Sequence, residues 1–491
     1  MDQPTNQNPE PQNPVPFQTL YETGKREIIL CVLTLVSGLA LANFVLKGGL
    51  NLGFSIAAIC SLITAAWYLF ASGHKGTWYT KSVLALCLFI AAGFARSDDL
   101  AVKVILLCFL FVGGNLALCV TAGQNRRSPG TLGSLLDAPR ALVLGNVGNS
   151  LRGVEHFFRT GGESSRRAGA ILVGLGISVP VLAVMIPLLM GADAAFEGLM
   201  DQLPDFDIPE VIFTLIYGVM AFLVLYNRNV ALHRQEKTGS TPKLRKGLHL
   251  FTVNTVLGMV CVLYLVYLFS QIAYFSGGFL GILPKGYSTA EYARRGFFEM
   301  AWLCAINLGI LTVGVGLVSG GSKLPLSTKL LCLFLSLVTL FLVSASCAKM
   351  VLYIGTYGLT RLRILTMTVI VFLAITTVVV AVWLFVPRLQ YMKILLLTAL
   401  VIGAAVLWLD VDTQVAKYNV RSYLSGNLSE IDTRHLSSLG DGALPYIREL
   451  TQASDPEVAQ IARDMAEHWD TEAPEDFRSW NYLTAQASQN P

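Results

Sequence analysis

The stretch ILTMTVIVFLAITTVVVAVWLFVP, Ile364–Pro387, runs for 24 residues without a charge. As a helix it rises about 36 Å at 1.5 Å per residue, enough to cross a hydrocarbon core of about 30 Å. Similar runs recur along the chain, at about 28–46, 50–71, 78–95, 100–122, 168–190, 209–227, 249–275, 296–319, 329–348 and 393–409. The composition agrees with this reading. Of 491 residues, 54% are hydrophobic and 14% charged, against about 25% charged in an ordinary soluble domain. The sequence therefore predicts an all-α, polytopic transmembrane helix bundle of about 11 spans, with a small helical C-terminal tail domain. The expected divisions are a polar, Asn/Gln/Pro-rich and disordered segment 1–27, first transmembrane helices 28–122, an amphipathic loop 123–167, a main bundle 168–409 and a polar tail 410–491.

Basic residues orient the bundle. With the N-terminus in the cytoplasm, inner loops hold 21 Lys/Arg and outer loops nine. Two long basic loops, 123–167 with seven Arg and 228–247 with six Lys/Arg, flank GADAAFEGLMDQLPDFDIPE (191–210), which has six acids and no base. Eleven spans starting inside put the tail outside the cytoplasm. The apolar run from Ile28 is read as an uncleaved first span of a multi-pass inner-membrane protein.

The tail has six Lys/Arg and fourteen Asp/Glu. Leu444, Ile447 and Leu450, then Val458, Ile461, Ala462, Met465 and Ala466, have helical spacing, and Asp455-Pro456 forms a helix start. One such hairpin buries little core alone, so it is expected to lean on the membrane domain or on a protein partner. In the loop 123–167, Leu144, Val147, Leu151, Val154 and Phe158 form an apolar stripe, with Arg140, Arg152 and Arg159 off it. Two readings are open: an amphipathic helix whose arginines meet anionic headgroups of the lipid bilayer, or a helix packed on the bundle.

YSTAEYARRGFFEM, Tyr287–Met300, sets charge at the head of an apolar run. Ser288 and Glu291 fit a capping box, predicting a helix from Thr289 to about Val318 whose first turns, near 288–299, lie in the outer interface. Arg294, Arg295 and Glu299 lie there, and the next outer loop carries Lys349, Arg361 and Arg363. Three readings are open: interfacial anchoring; a site for an anionic lipid or envelope precursor; and a contact with another subunit or with the acidic tail.

Enzyme motifs are missing from the sequence: there is no Walker-type loop, complete dinucleotide fingerprint, nucleophile elbow or zincin motif. The six histidines lack metal-ligand spacing, and the nine cysteines all fall in apolar segments without a C-x-x-C pair. No catalytic residue, metal site or cofactor is assigned, and nothing points to nucleic acid. Asp410-Val411-Asp412 after the last span reads as a solvated boundary rather than a cation site. Asn254 and Asn307 read as hydrogen-bond glue between helices.

Five blocks carry a family likeness: AEYARRGFFEM, YGLTRLRIL, VAKYNV (Val415–Val420), DTRHLSSLGDGALPYI (Asp432–Ile447) and RSWNY (Arg478–Tyr482). Together they resemble the bacterial multi-pass membrane family of unknown function 4173, with its close sister 4153, over roughly residues 80 to 485. Arg434-His435 departs from the pattern, which has an acidic or apolar residue and an aromatic there. The resemblance implies a multi-pass bacterial membrane protein and assigns no activity. The expected function is a non-enzymatic scaffold, sensor or regulatory component of the cell envelope. The alternatives are a transporter or flippase-like protein binding an anionic lipid or envelope precursor, and a membrane transferase acting on a lipid-phosphate substrate.

Overall fold

The computed structural model describes residues 25–125, 132–136, 208–234, 249–279, 297–314, 324–469 and 476–489, with single positions at 139, 185 and 189. The described residues are helical throughout: α1 (Lys25–Gly48), α2 (Leu52–Ala71), α3 (Trp78–Gly93), α4 (Leu100–Thr121), α5 (Ile208–Arg234), α6 (Leu250–Phe279), α7 (Phe297–Gly309), α8 (Leu326–Tyr357), α9 (Arg361–Phe385) and α10 (Tyr391–Leu409). The tail adds α11 (Val411–Leu424), α12 (Thr433–Ser437), α13 (Leu444–Leu450), α14 (Pro456–Glu467) and α15 (Tyr482–Gln489), with a 3-10 turn at Asp441–Ala443. Eight helices are long and apolar enough to cross a membrane, and Trp78–Gly93 and Met300–Thr312 are shorter apolar helices. Ten of the expected spans thus correspond to apolar helices, and of the run 168–190 only Met185 and Leu189 are among the described residues. The chain divides into two units, Met1–Leu33 with Gly148–Asp205, and Thr34–Val147 with Phe206–Pro491. The contacts below belong to the second.

The helices bury one stripe and expose apolar surface on the rest. On α6, Val253, Leu257, Cys261 and Tyr264 are buried at three- and four-residue steps. Phe251, Met259, Leu263, Val266 and Phe269 on the same helix are exposed. A water-soluble helix shows the opposite outer face, so this pattern needs lipid around it. One core joins α6, α7, α8, α9 and the start of α10, with Leu257, Leu311, Leu335, Leu342 and Val380 at its centre. Beside it α3 packs on α2, α4 and α10.

Several polar side chains inside the bundle are hydrogen-bonded across helices. Tyr264 donates to Asn307 at 3.0 Å, Asn307 donates to Thr339 at 3.0 Å, and Thr339 donates to the Leu335 carbonyl at 2.7 Å. Thr328 donates to Asn254 at 2.7 Å. Small residues bring α1 and α5 together: a Cβ on Gly38 would stand 2.7 Å from the Gly218 carbonyl oxygen.

Two expectations change here. The helix predicted to reach Val318 unbroken gives way at Ile310–Gly314 to a π-helical turn. Thr312 donates to the carbonyls of Leu308 at 2.7 Å and Gly309 at 3.5 Å, drawing hydrogen bonding out of the regular ladder. Lys349, placed in a loop by the sequence reading, is inside α8, whose 32 residues span about 48 Å and overrun the hydrocarbon thickness. The predicted start of the preceding helix at Thr289, with its capping box, lies outside the described residues.

Candidate functional site

The tail docks on one end of the bundle, where the α1–α2, α3–α4 and α8–α9 connections meet the exit of α10. Three sets of polar contacts hold it there.

The first is a seam of carboxylates. Asp98 and Asp99 precede α4, Asp410 and Asp412 bracket the step from α10 into α11, and Asp441 starts the 3-10 turn. Asp99, Asp410 and Asp412 are buried, the last two at 2% exposure. The solvated boundary expected at 410–412 is thus corrected: Ser97, Thr413, Arg361 and the Gly440 amide enclose these acids. Asp410 caps α11, accepting from the Thr413 amide at 2.9 Å and hydroxyl at 2.6 Å, and Ser97 donates to its other oxygen at 3.2 Å. It is the one non-glycine residue at positive φ among the described residues, at +53°. Its short acidic side chain tolerates that region, and these three bonds hold it there. Asp99 caps α4 through the amides of Ala101 and Val102 at 2.9 and 3.2 Å.

Two cations face the seam directly. Arg361 sets its Nε and Nη2 as a fork on both oxygens of Asp412. Its Nη2 also donates to the Ser438 carbonyl at 3.1 Å, and its Nε lies 4.0 Å from Asp99. Lys103 donates to Asn51 at 2.7 Å among these acids. The backbone of Gly440-Asp441-Gly442 threads between them. The Gly440 amide donates to Asp412 at 2.9 Å and the Asp441 amide to Asp98 at 3.5 Å. A Cβ on Gly442 would collide with the Thr413 hydroxyl, and one on Gly440 would stand 2.7 Å from Asp98 Oδ2. Trp469 closes the seam from outside, donating to Asp441 at 3.1 Å.

Negative charge is in excess here, and it moves the acids. Burial first, then the charges of Asp441 and Asp410, push the Asp98 carboxyl above its ordinary value against the opposing pull of Lys103 and the Asp441 amide. Burial also raises Asp410, opposed by the Thr413 bonds and reinforced by the charge of Asp412.

The second set is a strap, residues 476–489. Leu52 and Gly53 at the start of α2 donate their amides to the carbonyls of Trp480 and Arg478, each at 3.1 Å. Such first-turn amides lack partners within their own helix, and here the tail supplies them. The Tyr482 amide donates to the Ala95 carbonyl at 2.9 Å, and Asn481 donates to the Ser97 carbonyl at 2.6 Å. Arg478 binds Asn43 at 2.9 Å and pairs with Asp476, holding that carboxyl down at about 2. Phe477 packs edge-on against Phe44 with centroids 5.6 Å apart, and Arg96 lies 5.0 Å over the Tyr482 ring.

The third set fixes the α8–α9 corner. Asn419 on α11 accepts from the Leu359 amide at 2.6 Å and donates to the Leu359 carbonyl at 2.8 Å. Gly358 makes the turn at φ +74°, and a Cβ there would stand 2.6 Å from Asn419. Only glycine meets both demands.

Of the residues singled out in the sequence, Arg361 and Arg363 share one helix start and diverge. Arg361 enters the seam. Arg363 bonds the carbonyls of Tyr357, at 3.0 Å, and Gly358, with its guanidinium 4.2 Å over the Tyr353 ring. Arg294, Arg295, Arg140, Arg152 and Arg159 lie outside the described residues. Glu299 is on α7, its side chain outside the described set. The sequence reading passed over Asp98, Asp99, Asn419 and Asn481. The signal available was the pairing of short acidic and glycine-flanked motifs, SDD (97–99), DVD (410–412) and GDG (440–442), each at a helix boundary. Among the described residues no group of three His, Cys, Asp or Glu side chains is placed to hold a metal ion. The structure does bring together two histidines, His74 and His233, at 3.0 Å across 159 positions of sequence. In the described seam the hydroxyls of Ser97 and Thr413 both donate to Asp410, whose Oδ2 also caps α11. The seam's chemistry is that of a charged joint.

No curated protein and no solved structure matches the chain. Of the two sister families likened to the sequence blocks, the match supports 4153. Four of the five blocks fall within the matched region and RSWNY lies beyond it. The profile described as Domain of unknown function (DUF4153) matches residues 83–450, well over half of the chain, and the chain belongs to that family.

Proposed function

We propose that this is a non-enzymatic scaffold or regulatory component of a bacterial cell envelope, in which the bundle holds the acidic tail as a rigid platform at one membrane face. One observation carries the reading: Arg361, the best-described of the arginines considered for ligand binding, spends its whole fork on Asp412 and its remaining reach on the tail backbone at Ser438. Arg363 is likewise committed to its own corner. The flippase-like and transferase readings require these guanidinium groups to be free for a phosphate. Docking uses them internally and leaves α14 with Gln460, Arg463, Asp464 and Glu467 exposed for a protein partner.

The positive-inside count supports an N-terminus in the cytoplasm, and eleven spans starting there support a platform outside it. The loops now grouped around the tail, after α1, α3 and α8, are the ones that count assigns to the outer side.

The test joins two measurements on the full-length protein in cells. Ser454→Cys, on the exposed turn before α14, is expected to react with an impermeant thiol reagent in intact cells; reaction only after lysis would overturn the orientation. Arg361→Ala with Arg363→Ala is expected to loosen the tail, read as faster trypsin cleavage there, without changing co-purified phospholipid. Loss of bound phospholipid with an undisturbed tail would overturn the platform and restore the ligand reading.

A further inference from the structure

Arg228 lies inside α5, within the apolar span Phe213–His233, and is 6% exposed. Its guanidinium donates from Nε to Oδ1 of Asn229 at 3.2 Å and from Nη1 to Oδ1 of Asn115, on α4, at 3.3 Å. Both acceptors are neutral amides, and among the described residues Arg228 makes no ion pair. Nη2 has no hydrogen-bond partner, and neither has Nδ2 of Asn229, a side chain 1% exposed. The unmet groups of these two side chains are donors only.

An isolated guanidinium in a membrane interior is strongly unfavourable unless a counter-charge accompanies it. Lys103, the other cation buried among the described residues, has Asp98, Asp410 and Asp99 beside it. Nε and Nη2 lie on one edge of the planar guanidinium, so the Asn229 amide bonded at Nε stands alongside the free Nη2. Two adjacent donors on a fixed cation suit two oxygens of one anion. The position also fits. Arg228 and Asn115 each lie six residues from the last residue of their helices, Arg234 and Thr121, at the end from which the basic segments 123–167 and 228–247 emerge. Those segments concentrate anions at that end.

We propose that Arg228, with Asn229 and Asn115, binds a phosphate-type oxyanion between α4 and α5, at the end of the bundle opposite the tail. The oxyanion is either the phosphate of an anionic lipid or a soluble phosphate compound, the recognition chemistry being the same.

The experiment follows thermal unfolding of the detergent-purified full-length protein at matched ionic strength. Inorganic phosphate is added against chloride, and in a second arm phosphatidylglycerol against phosphatidylcholine in mixed micelles. The expected result is a rise in Tm with one source: with phosphate for a soluble ligand, with phosphatidylglycerol alone for a lipid headgroup. Arg228→Met should abolish that rise and lower the starting Tm of protein that retains its native anion. Arg228→Lys keeps the charge and lacks the fork; it should need at least tenfold more of the effective anion for half the rise, and it serves if the Met variant does not fold. The proposal is overturned if neither source raises Tm, or if Arg228→Lys responds like the native protein.

Discussion

At the scale of single residues, the Arg361–Asp412 pair is asymmetric, and the asymmetry has a measurable consequence. The Asp412 side chain is 2% exposed and that of Arg361 is 39% exposed. Removing the arginine strands a carboxylate among four others with no water to replace the fork. Neutralising the acid as Asp412→Asn lets the guanidinium hydrate and keeps an oxygen for the Gly440 amide. Arg361→Ala is therefore expected to destabilise the tail-docked state by about 2–3 kcal/mol, and Asp412→Asn by about 1 kcal/mol. Arg361→Lys should behave more like the alanine variant, because an ammonium cannot span both oxygens. Tm and trypsin sensitivity of the tail measure all three. Equal costs for Arg361→Ala and Asp412→Asn would show that the carboxylate reaches water after all. The corner residue makes a similar case. Asn419→Ala removes both bonds to Leu359 and should cost about 1–3 kcal/mol, while Asn419→Asp keeps the acceptor, loses the donor and should fall between.

At the scale of elements, the spans were legible because apolarity over about 20 residues is itself the physical requirement for crossing a membrane. What apolarity does not encode is where helices continue once the hydrocarbon ends. The apolar run at about 209–227 ends where the basic loop 228–247 was drawn to begin, yet the helix continues to Arg234 and buries Asn227, Arg228 and Asn229. Their burial comes from neighbouring helices, α2 packing on α5 and α4 reaching Arg228 through Asn115, a tertiary fact. The π turn after α7 was hidden for another reason: a threonine competing for a backbone carbonyl is common in membrane helices and only sometimes shifts the ladder. The site was half legible. The charged α9 start, the DVD step and the sequence blocks were visible as features, but nothing in one sequence pairs residue 99 with 361 or 441 with 469. Where two elements meet at a glycine, the pairing is testable. Gly442→Ala places a methyl group against the Thr413 hydroxyl and is expected to displace the 3-10 turn, lowering Tm and exposing the tail to protease. Gly442→Ala combined with Thr413→Ala should recover part of the loss; no recovery would mean that the close approach to α11 is not what fixes this turn.

For the whole molecule, the seam makes docking of the tail a function of pH, and the sign follows from the direction of the shifts. Asp98 and Asp410 have carboxyls raised by burial and by neighbouring acids. An acid whose pKa is higher when docked than when released binds its proton more tightly in the docked state. Its contribution to docking is therefore fully present below the ordinary carboxyl value and is lost as pH rises through the raised one. Facing these two groups are Asp99, Asp412, Asp441, Lys103 and Arg361, so protonation relieves repulsion without leaving either cation without an acid. The opposite case is Asp476, held down at about 2 by Arg478. Its contribution is present above the ordinary carboxyl value and is lost only as pH falls through about 2, well below the range where the seam responds. Between about pH 7.5 and about pH 5 the two effects do not oppose each other, and acidification is expected to tighten the tail on the bundle. Hydrogen exchange of the full-length protein, corrected for the intrinsic pH dependence of amide exchange, should give slower opening of residues 440–450 and 478–484 at the lower pH. Asp98→Asn, fixed in a neutral form, should already open more slowly at pH 7.5 and show a smaller pH response. Faster opening on acidification, or an unchanged slope in Asp98→Asn, would mean that the seam holds its charge as ions throughout and that docking rests on the strap and the Asn419 corner alone.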